Sequence, residues 1–250
     1  MSDRLQTVAE DLTARGFDVT SEGNDLVASG GSLPGQRVDA PLRVIALRDR
    51  RPLTIIGAVA AAANAGQVPL LVADPTTAGH AREFLGDPFA LAAAAPSREF
   101  YPVEDRILLR DDTYACVPAV GTLRWREAET GDDAGSDHPQ LLLEQGDEIV
   151  AALDSVDALA CPGPSSEAFS YRYDREPGGQ FRVYDSDGLV GRYVSVTAMK
   201  RDYRPVPLPL VPAHHVRANG ALARATVLAT VDDGQVSYES ERATADYRGM

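Results

Sequence analysis

Residues 42–85 read LRVIALRDRRPLTIIGAVAAAANAGQVPLLVADPTTAGHAREFL, and they decide the fold of the N-terminal part of the chain. Residues 42–47 have the pattern of a strand, residues 53–65 an apolar helical pattern, and residues 68–73 the pattern of a continuous apolar strand. Asp74 then opens a second helix that runs to the end of the stretch. Strands and helices that alternate through short loops are typical of a βαβ unit with parallel strands. Because an unbroken apolar strand is usually covered on both faces, the stretch predicts a three-layer βαβα core.

The residues before this stretch predict a helix and a hairpin. Apolar side chains recur at helical spacing in residues 3–15, and Gly16 is a natural helix end. Residues 17–20 and 26–28 have short strand patterns on either side of a Glu-Gly-Asn turn. The expected N-terminal order is therefore helix, hairpin, strand, helix, strand, helix.

The residues after position 100 predict mainly strands. Strand patterns occupy 106–110, 114–118, 122–126, 157–160, 169–174, 181–184, 189–197, 222–231 and 235–239, and a helical pattern occupies 141–153. Asp-Gly pairs in two of the connections are the signal of a type I′ hairpin, in which both central residues need a positive φ. Alternate prolines at 205, 207 and 209 exclude a helix or a central strand, so we expect residues 204–212 to be extended.

These patterns predict an α/β fold, α+β overall, with the three-layer βαβα core near the N-terminus and a β-rich C-terminal region. A chain of 250 residues has room for one large domain or two small ones. The expected division is an α/β domain at 1–126, an acidic linker or loop at 127–140 and a β-rich domain at 141–250, with one continuous domain as the alternative.

The charge composition is strongly acidic and almost free of lysine. The chain has 37 Asp and Glu against 24 Lys and Arg, a net charge of −13, and Lys200 is its single lysine. This resembles the cytoplasmic proteins of extreme halophiles, because concentrated salt screens the repulsion between carboxylates. An acidic protein from an Arg-biased genome is the other interpretation. The apolar stretches are too short to span a bilayer and the N-terminus lacks a secretory signal, so we expect a cytoplasmic protein with no membrane partner.

Several enzyme classes lack the residues that they require. Walker A phosphate binding and Schiff-base chemistry each require a lysine. Lys200 is the only lysine and has no GxxxxGK context, which argues against P-loop NTPase, kinase and pyridoxal-type functions. The sequence contains neither the GxSxG elbow of α/β-hydrolases nor the GxGxxG dinucleotide fingerprint. Cys116 and Cys161 are expected to be reduced and buried, and the four histidines form no ligand set. The sequence therefore predicts no metal and no cofactor.

Two loops at the expected carboxyl ends of the parallel strands are candidates for a ligand site, since ligands of open α/β sheets bind there. The second loop also opens a helix, whose free N–H groups favour an anion. The candidate ligand-binding residues are Arg48, Arg51, Thr76 and Thr77, and the candidate acid and base are Asp74 and His80. Simple helix capping, with the arginines paired to surface acids, is the structural alternative.

Aromatic and arginine residues are interleaved between Phe169 and Tyr193. Stacking on aromatic faces is the salt-tolerant part of nucleic-acid recognition, so a nucleic-acid interface is one interpretation. Because Phe169, Tyr171 and Tyr173 share one face of a strand, packing in the core of a sheet is the other.

The element order of residues 3–85 resembles the core of the restriction-endonuclease-like superfamily, which includes Mrr-type and resolvase-type nucleases. The resemblance implies that an acid on the first helix, an Asp on the hairpin and an E-x-K on the next strand hold a divalent metal. Glu10 matches the first position, and Asp25 or Asp39 the second. Ala46-Leu47-Arg48 falls on the E-x-K, where Ala cannot bind metal and Arg cannot transfer a proton at neutral pH. The resemblance thus implies a nuclease-derived fold without nuclease chemistry.

Two functions stay open at this point. The first is a non-enzymatic binding or regulatory module that acts through protein or nucleic-acid contacts, as a monomer or an oligomer. The second is a small enzyme that acts on an anionic metabolite at the strand ends. The binding module is favoured because the sequence contains no recognisable acid–base pair, nucleophile–base pair, metal cluster or phosphate loop.

Overall fold

A computed structural model describes residues 2–33, 40–86, 89–93, 97–128, 140–159, 163–211 and 226–241. The chain divides into two compact units, which are Met1–Leu91 with Val211–Met250 (unit 1) and Ala92–Leu210 (unit 2). In chain order the elements are α1 (Asp3–Ala14), β1 (Asp18–Glu22), β2 (Asp25–Ser29), β3 (Leu42–Ala46), α2 (Pro52–Asn64), β4 (Val68–Ala73), α3 (Pro75–Leu85), β5 (Leu91–Ala93), β6 (Glu99–Phe100), β7 (Pro102–Arg106), β8 (Tyr114–Pro118), β9 (Leu123–Glu127), β10 (Leu141–Gln145), β11 (Glu148–Leu153), two 3-10 helices (Val156–Leu159 and Ser166–Ala168), β12 (Tyr171–Arg175), β13 (Phe181–Tyr184), β14 (Leu189–Tyr193), α4 (Val196–Met199), β15 (Tyr203–Pro205), β16 (Pro207–Pro209), β17 (Thr226–Asp232) and β18 (Gln235–Glu241).

The fold class is mainly β with some helices, which agrees with the predicted α+β class. The described residues form mixed sheets together with the helices α1–α4. Across the same residues, no helix is both long enough and apolar enough to cross a membrane.

Unit 1 is built on a six-stranded mixed sheet in the order β1-β2-β3-β4-β17-β18. The strands β1, β2 and β3 form an antiparallel meander, and β3, β4 and β17 run parallel to one another. The β3–α2–β4–α3 succession, with β3 and β4 parallel, matches the βαβα order expected from residues 42–85. The carboxyl ends of β3 and β4 therefore lie at the same edge of the sheet.

Apolar side chains bury the central strand of this sheet along nearly its whole length. Leu70 and Val72 of β4 pack in a core that includes the buried face of α1. Leu71 and Ala73, which alternation places on the opposite face, are also fully buried. The helices α2 and α3 both contact β4. Burial of each Leu or Val side chain of this kind contributes roughly 1.5–3 kcal/mol.

The last two strands of the chain complete the sheet of unit 1. β17 pairs in parallel with β4, and β18 pairs with β17. The two units therefore do not coincide with the predicted domains at 1–126 and 141–250. Residues 129–139 of the predicted acidic linker lie outside the described residues.

Unit 2 contains two five-stranded sheets, in the orders β11-β10-β9-β6-β5 and β14-β13-β12-β8-β15, and the two-stranded pair β16-β7. The proline-rich segment is extended, as its alternate prolines predict. β15 lies at the edge of its sheet and β16 belongs to the two-stranded pair, positions that tolerate missing N–H donors. Trp125 is buried in this unit and its Nε1 donates a hydrogen bond to the Pro207 carbonyl oxygen at 2.8 Å.

The predicted helix over 141–153 is wrong, because these residues form the antiparallel hairpin β10–β11. A short apolar run such as 141–143 is compatible with a buried helix and with a central strand. Gly146, with a φ of +64°, turns the chain between the two strands. The predicted strand at 157–160 is also wrong, since Val156–Leu159 is a 3-10 helix and residue 160 lies outside the described residues.

The C-terminal hairpin has the turn that its Asp-Gly pair predicts. Asp233 and Gly234 have φ values of +43° and +78°, so both central residues are in the left-handed region, as in a type I′ turn. The strand predicted at 189–197 is shorter than expected, because the Ser195 hydroxyl accepts a hydrogen bond from the Ala198 N–H at 3.1 Å and starts α4.

Candidate functional site

A pocket of about 440 Å³ lies at the carboxyl end of β3 in unit 1. Its walls come from the first turn of α1, from the β1–β2 turn and from residues 46–48 at the end of β3. We call it the strand-end pocket. Arg48 and Arg4 line it from two different elements, and Leu5 and Val72, both buried, contribute apolar surface. The pocket therefore combines an apolar base with positive charge.

The β1–β2 turn reaches the pocket because its glycine allows a tight reversal. Glu22 pairs with Asp25 across the hairpin, so Gly23 and Asn24 form a two-residue loop. Gly23 has a φ of +63°, a conformation that glycine adopts without steric strain. This loop brings Asn24 and Asp25 to the wall of the pocket.

The arginine after β3 has no charged partner among the described residues. Arg48 is exposed at the strand-end pocket, and no described residue forms a hydrogen bond or an ion pair with its side chain. Asp25 in the same wall is neutralised by a different residue: Arg43 donates from Nε at 3.0 Å and from Nη2 at 2.9 Å, both to Oδ2 of Asp25. The charge of Arg48 is thus available to an anionic ligand.

Arg4 joins the strand-end pocket to a second, more acidic one. Its Nη2 lies 3.3 Å from Oδ2 of Asp74, the residue that follows β4. The second pocket, of about 370 Å³, is lined by Arg4 and Asp74 together with Asp232 and Asp233 of the β17–β18 hairpin. Sequence reasoning missed Arg4, because only the pairing of the sheet brings α1 next to the ends of β3 and β4.

Asp74, the candidate acid or base, caps a helix. Its Oδ1 accepts a hydrogen bond from the Thr77 N–H at 2.8 Å, and the Thr77 hydroxyl lies 3.2 Å from Oδ2. The hydrogen bond from the Thr77 N–H, assisted by the Arg4 charge, lowers the pKa of Asp74 below its usual value. A carboxylate of this kind is a weak base at neutral pH, and its oxygens already have partners.

The other predicted residues do not gather around one pocket. Nδ1 of His80 lies 3.8 Å from Oε2 of Glu83 on the surface of α3, and no hydrogen bond or ion pair between described residues joins His80 to Asp74. Thr76 is exposed, and neither Thr76 nor His80 lines the strand-end pocket.

Arg51 pairs with Asp49, two positions before it in the loop after β3. Its Nη2 lies 2.7 Å from Oδ2 of Asp49. Hydrogen bonds from Arg51 lower the pKa of Asp49 to about 2. Arg51 therefore differs from Arg48, although the two arginines lie three positions apart in one loop.

The positions that the nuclease resemblance singles out are only partly brought together. Asp25 and residues 46–48 line the same pocket. Glu10 lies on the exposed face of α1, where it accepts a hydrogen bond from Gln6 at 2.7 Å, and Asp39 lies outside the described residues. Among the described residues, no group of three or more His, Cys, Asp or Glu is arranged to hold a metal ion.

Aromatic and arginine residues of unit 2 occur together on both faces of one sheet, since Arg172 and Arg182 lie over the Tyr184 ring and Arg175 over the Phe181 ring. Tyr171 and Tyr173 pack with Cys116, whose pKa burial raises to about 12. Arg182, on the other face, donates two hydrogen bonds to Asp174, at 2.9 and 2.6 Å. The buried tyrosines therefore form core, and this arginine is already paired. His138, His214, His215 and Cys161 lie outside the described residues.

Among the described residues, the best-supported candidate site is thus the strand-end pocket, with Arg48 and Arg4 at its rim. Arg48 in this pocket was predicted from the sequence, whereas the contribution of Arg4 became apparent only from the topology. Comparison of the chain with protein-family models, with curated proteins and with solved structures finds no match.

Proposed function

We propose that the protein is a non-enzymatic binding module whose unit 1 binds a small anionic ligand in the strand-end pocket. The observation that carries this proposal is the Arg48 guanidinium, which faces the pocket without a partner among the described residues. A hydrogen bond from a charged donor to an anion contributes about 1.5–3 kcal/mol.

A second group strengthens the preference for an anion. The first turn of α1 lines the pocket, and the N–H groups of a first helical turn have no intrahelical partner. Arg4 lies in that turn, but its guanidinium also forms the 3.3 Å ion pair with Asp74, so it adds less charge to the pocket than Arg48 does. The volume of about 440 Å³ is within the range of small-molecule sites.

The enzyme alternative has less support. The predicted acid–base pair of this enzyme is Asp74 and His80. Asp74 is engaged by Thr77 and Arg4, and His80 lies on α3 away from the pocket wall. A general base needs a pKa close to the working pH and a free oxygen within reach of the substrate. We therefore propose that the pocket recognises its ligand without transforming it.

We also propose that unit 1 is a three-layer core related to the restriction-endonuclease-like fold. Burial of β4 along both faces, and the order α1-β1-β2-β3-α2-β4, support this relation. Ala46 and Arg48 at the E-x-K positions support binding rather than metal-dependent cleavage. The net charge of −13 with one lysine supports function in a high-salt cytoplasm.

Thermal unfolding with inorganic phosphate and sulfate tests the proposed function. A ligand that binds only the folded protein adds roughly 2.7 kcal/mol of stability at about 100 times its Kd. We expect a saturable rise in Tm for the wild type and for Arg50→Gln, and its loss in Arg48→Gln. Arg50 is a matched control because it has the same charge in the same loop but does not line the pocket. An equal rise in Arg48→Gln, or no rise in the wild type, would contradict the proposal.

A further inference from the structure

The neutral wall of the strand-end pocket offers hydrogen-bonding groups that an inorganic anion does not use. Ser21 and Asn24 line the pocket, and no described residue forms a hydrogen bond with either side chain. The hydroxyl of Ser21 and the amide of Asn24 each both donate and accept hydrogen bonds. Both side chains can therefore pair with the hydroxyl groups of a ligand, which also donate and accept hydrogen bonds.

Asp25 adds an acceptor that is fixed in position. Both hydrogen bonds from Arg43 end on Oδ2, and no described residue donates to Oδ1. The ion pair holds the carboxylate in place and offsets its charge. Oδ1 can therefore accept a hydrogen bond from a ligand hydroxyl in the same pocket as Arg48, with less repulsion of the anion than a free carboxylate would cause. The pocket thus has a cationic part and a hydroxyl-binding part.

The apolar base of the pocket is aliphatic. Leu5, Leu26, Leu47 and Val72 line it, and none of the described residues in its wall is aromatic. Recognition of a nucleobase relies largely on stacking against an aromatic face, which contributes about 1–3 kcal/mol per base. The lining therefore suits a hydroxylated aliphatic carbon skeleton and disfavours a nucleotide.

We propose that the ligand of the strand-end pocket is a small polyhydroxylated phosphate ester of the sugar phosphate class. Its phosphate contacts Arg48 and Arg4, and its hydroxyl groups contact Asn24, Ser21 and Oδ1 of Asp25. This inference rests on the proposed function, because the pocket must first bind an anion. It adds the chemical class of the ligand.

Calorimetric titration of the full chain tests this class with four probes: inorganic phosphate, ribose 5-phosphate, ribose and adenosine monophosphate. We expect ribose 5-phosphate to bind at least tenfold more tightly than inorganic phosphate or adenosine monophosphate, a difference of about 1.4 kcal/mol. We expect no measurable binding of ribose alone, since it lacks the anion that Arg48 holds.

The double substitution Ser21→Ala with Asn24→Ala separates the two parts of the pocket. Both residues are exposed in a hairpin, so the fold should tolerate the change. We expect the double variant to bind ribose 5-phosphate as weakly as inorganic phosphate, with its phosphate affinity unchanged. Thr20→Ala is the matched control, because Thr20 precedes Ser21 in β1 and does not line the pocket.

The outcomes distinguish the inference from the function beneath it. If no phosphate-bearing probe binds, the proposed anion site fails, and this inference fails with it. If inorganic phosphate binds but ribose 5-phosphate is no tighter, or if adenosine monophosphate binds equally well, only the ligand class is overturned. An unchanged affinity of the double variant for ribose 5-phosphate would overturn the assigned hydroxyl contacts.

Discussion

Three arginines of unit 1 differ in what their guanidinium groups contact. Arg43 donates both of its hydrogen bonds to Asp25, and Arg4 forms an ion pair with Asp74. Arg48 faces the strand-end pocket with no partner among the described residues. An exposed ion pair contributes only about 0–1 kcal/mol to stability. These ion pairs therefore matter mainly because they determine which guanidinium group remains available to a ligand.

The helix cap formed by Asp74 leads to a prediction about stability. Asp74→Ala removes the acceptor for the Thr77 N–H and the partner of Arg4, so we expect a loss of about 1 kcal/mol in the free energy of unfolding. Urea denaturation at neutral pH measures this loss. Thr76→Ala in the same turn is exposed and should change stability by less than about 0.5 kcal/mol. A loss as large in Thr76→Ala would contradict the assigned cap.

The same cap predicts a pH dependence. The Thr77 N–H and Arg4 lower the pKa of Asp74 in the folded state below its unfolded value of about 3.9. The charged form is therefore stabilised in the folded protein, and this contribution is fully present above the unfolded pKa. It is lost as the pH falls through the folded pKa. The difference in stability between the wild type and Asp74→Ala should accordingly narrow in acid, and a difference that widens would contradict this assignment.

At the scale of elements, two glycines should respond to alanine in opposite directions. Gly57 lies inside α2 with open space around its Cα, so Gly57→Ala should stabilise the protein by about 0.5–1 kcal/mol. Gly234 has a φ of +78° in the β17–β18 turn, and Gly234→Ala should destabilise it by at least about 1 kcal/mol. Urea denaturation of both variants tests the pair. Effects of the same sign would contradict the turn or the helix.

The elements of residues 42–73 were predicted well, and the hairpin at 141–153 was not. The patterns at 42–47, 53–65 and 68–73 match β3, α2 and β4 to within about two residues. Residues 141–153 were predicted as a helix because Leu141, Leu142 and Leu143 fit either structure, and strand pairing with β9 and β11 decided the outcome. Local sequence patterns give no information about which strands pair with one another.

The candidate site shows the same limit. The loop that contains Arg48 could be predicted from the parallel strands, because ligands bind at their carboxyl ends. The roles of Asn24 and Asp25 could not, since the pairing of β1, β2 and β3 brings them to the pocket. The role of Arg4 could not either, because it depends on the packing of α1 against β3 and β4. The sequence predicts Asp74 as a candidate acid or base, but the same residues equally predict the helix cap that the structure has.

At the scale of the whole molecule, the chain leaves unit 1 and later returns to it. β17 and β18 follow unit 2 in the sequence, yet they pair into the sheet beside β4. The strand patterns over 226–231 and 235–239 are confirmed by β17 and β18, whereas residues 222–225 lie outside the described residues. The assignment of these strands to a C-terminal domain followed sequence order alone. Sequence periodicity does not reveal that strands so distant in the chain pair in one sheet. Their pairing closes a long loop, and local sequence patterns carry no information about that closure.

The charge of the whole molecule predicts a salt dependence. A net charge of −13 creates repulsion in the folded protein, and the Debye length shortens from about 10 Å at about 0.1 M salt to about 3 Å at about 1 M. We expect the free energy of unfolding at neutral pH to rise with KCl over this range. Urea denaturation at several salt concentrations measures it, with Trp125 emission reporting unit 2. Stability that stays flat or falls would contradict adaptation to high salt.

Arginine-specific labelling, resolved by peptide mass spectrometry, tests whether the strand-end pocket binds the anion through Arg48. The wild-type protein is treated with a dicarbonyl reagent in the presence and absence of saturating inorganic phosphate. We expect phosphate to protect Arg48 strongly, whereas Arg50 in the same loop should be labelled equally under both conditions. Labelling of Arg48 that phosphate leaves unchanged would show that the strand-end pocket is not the anion site.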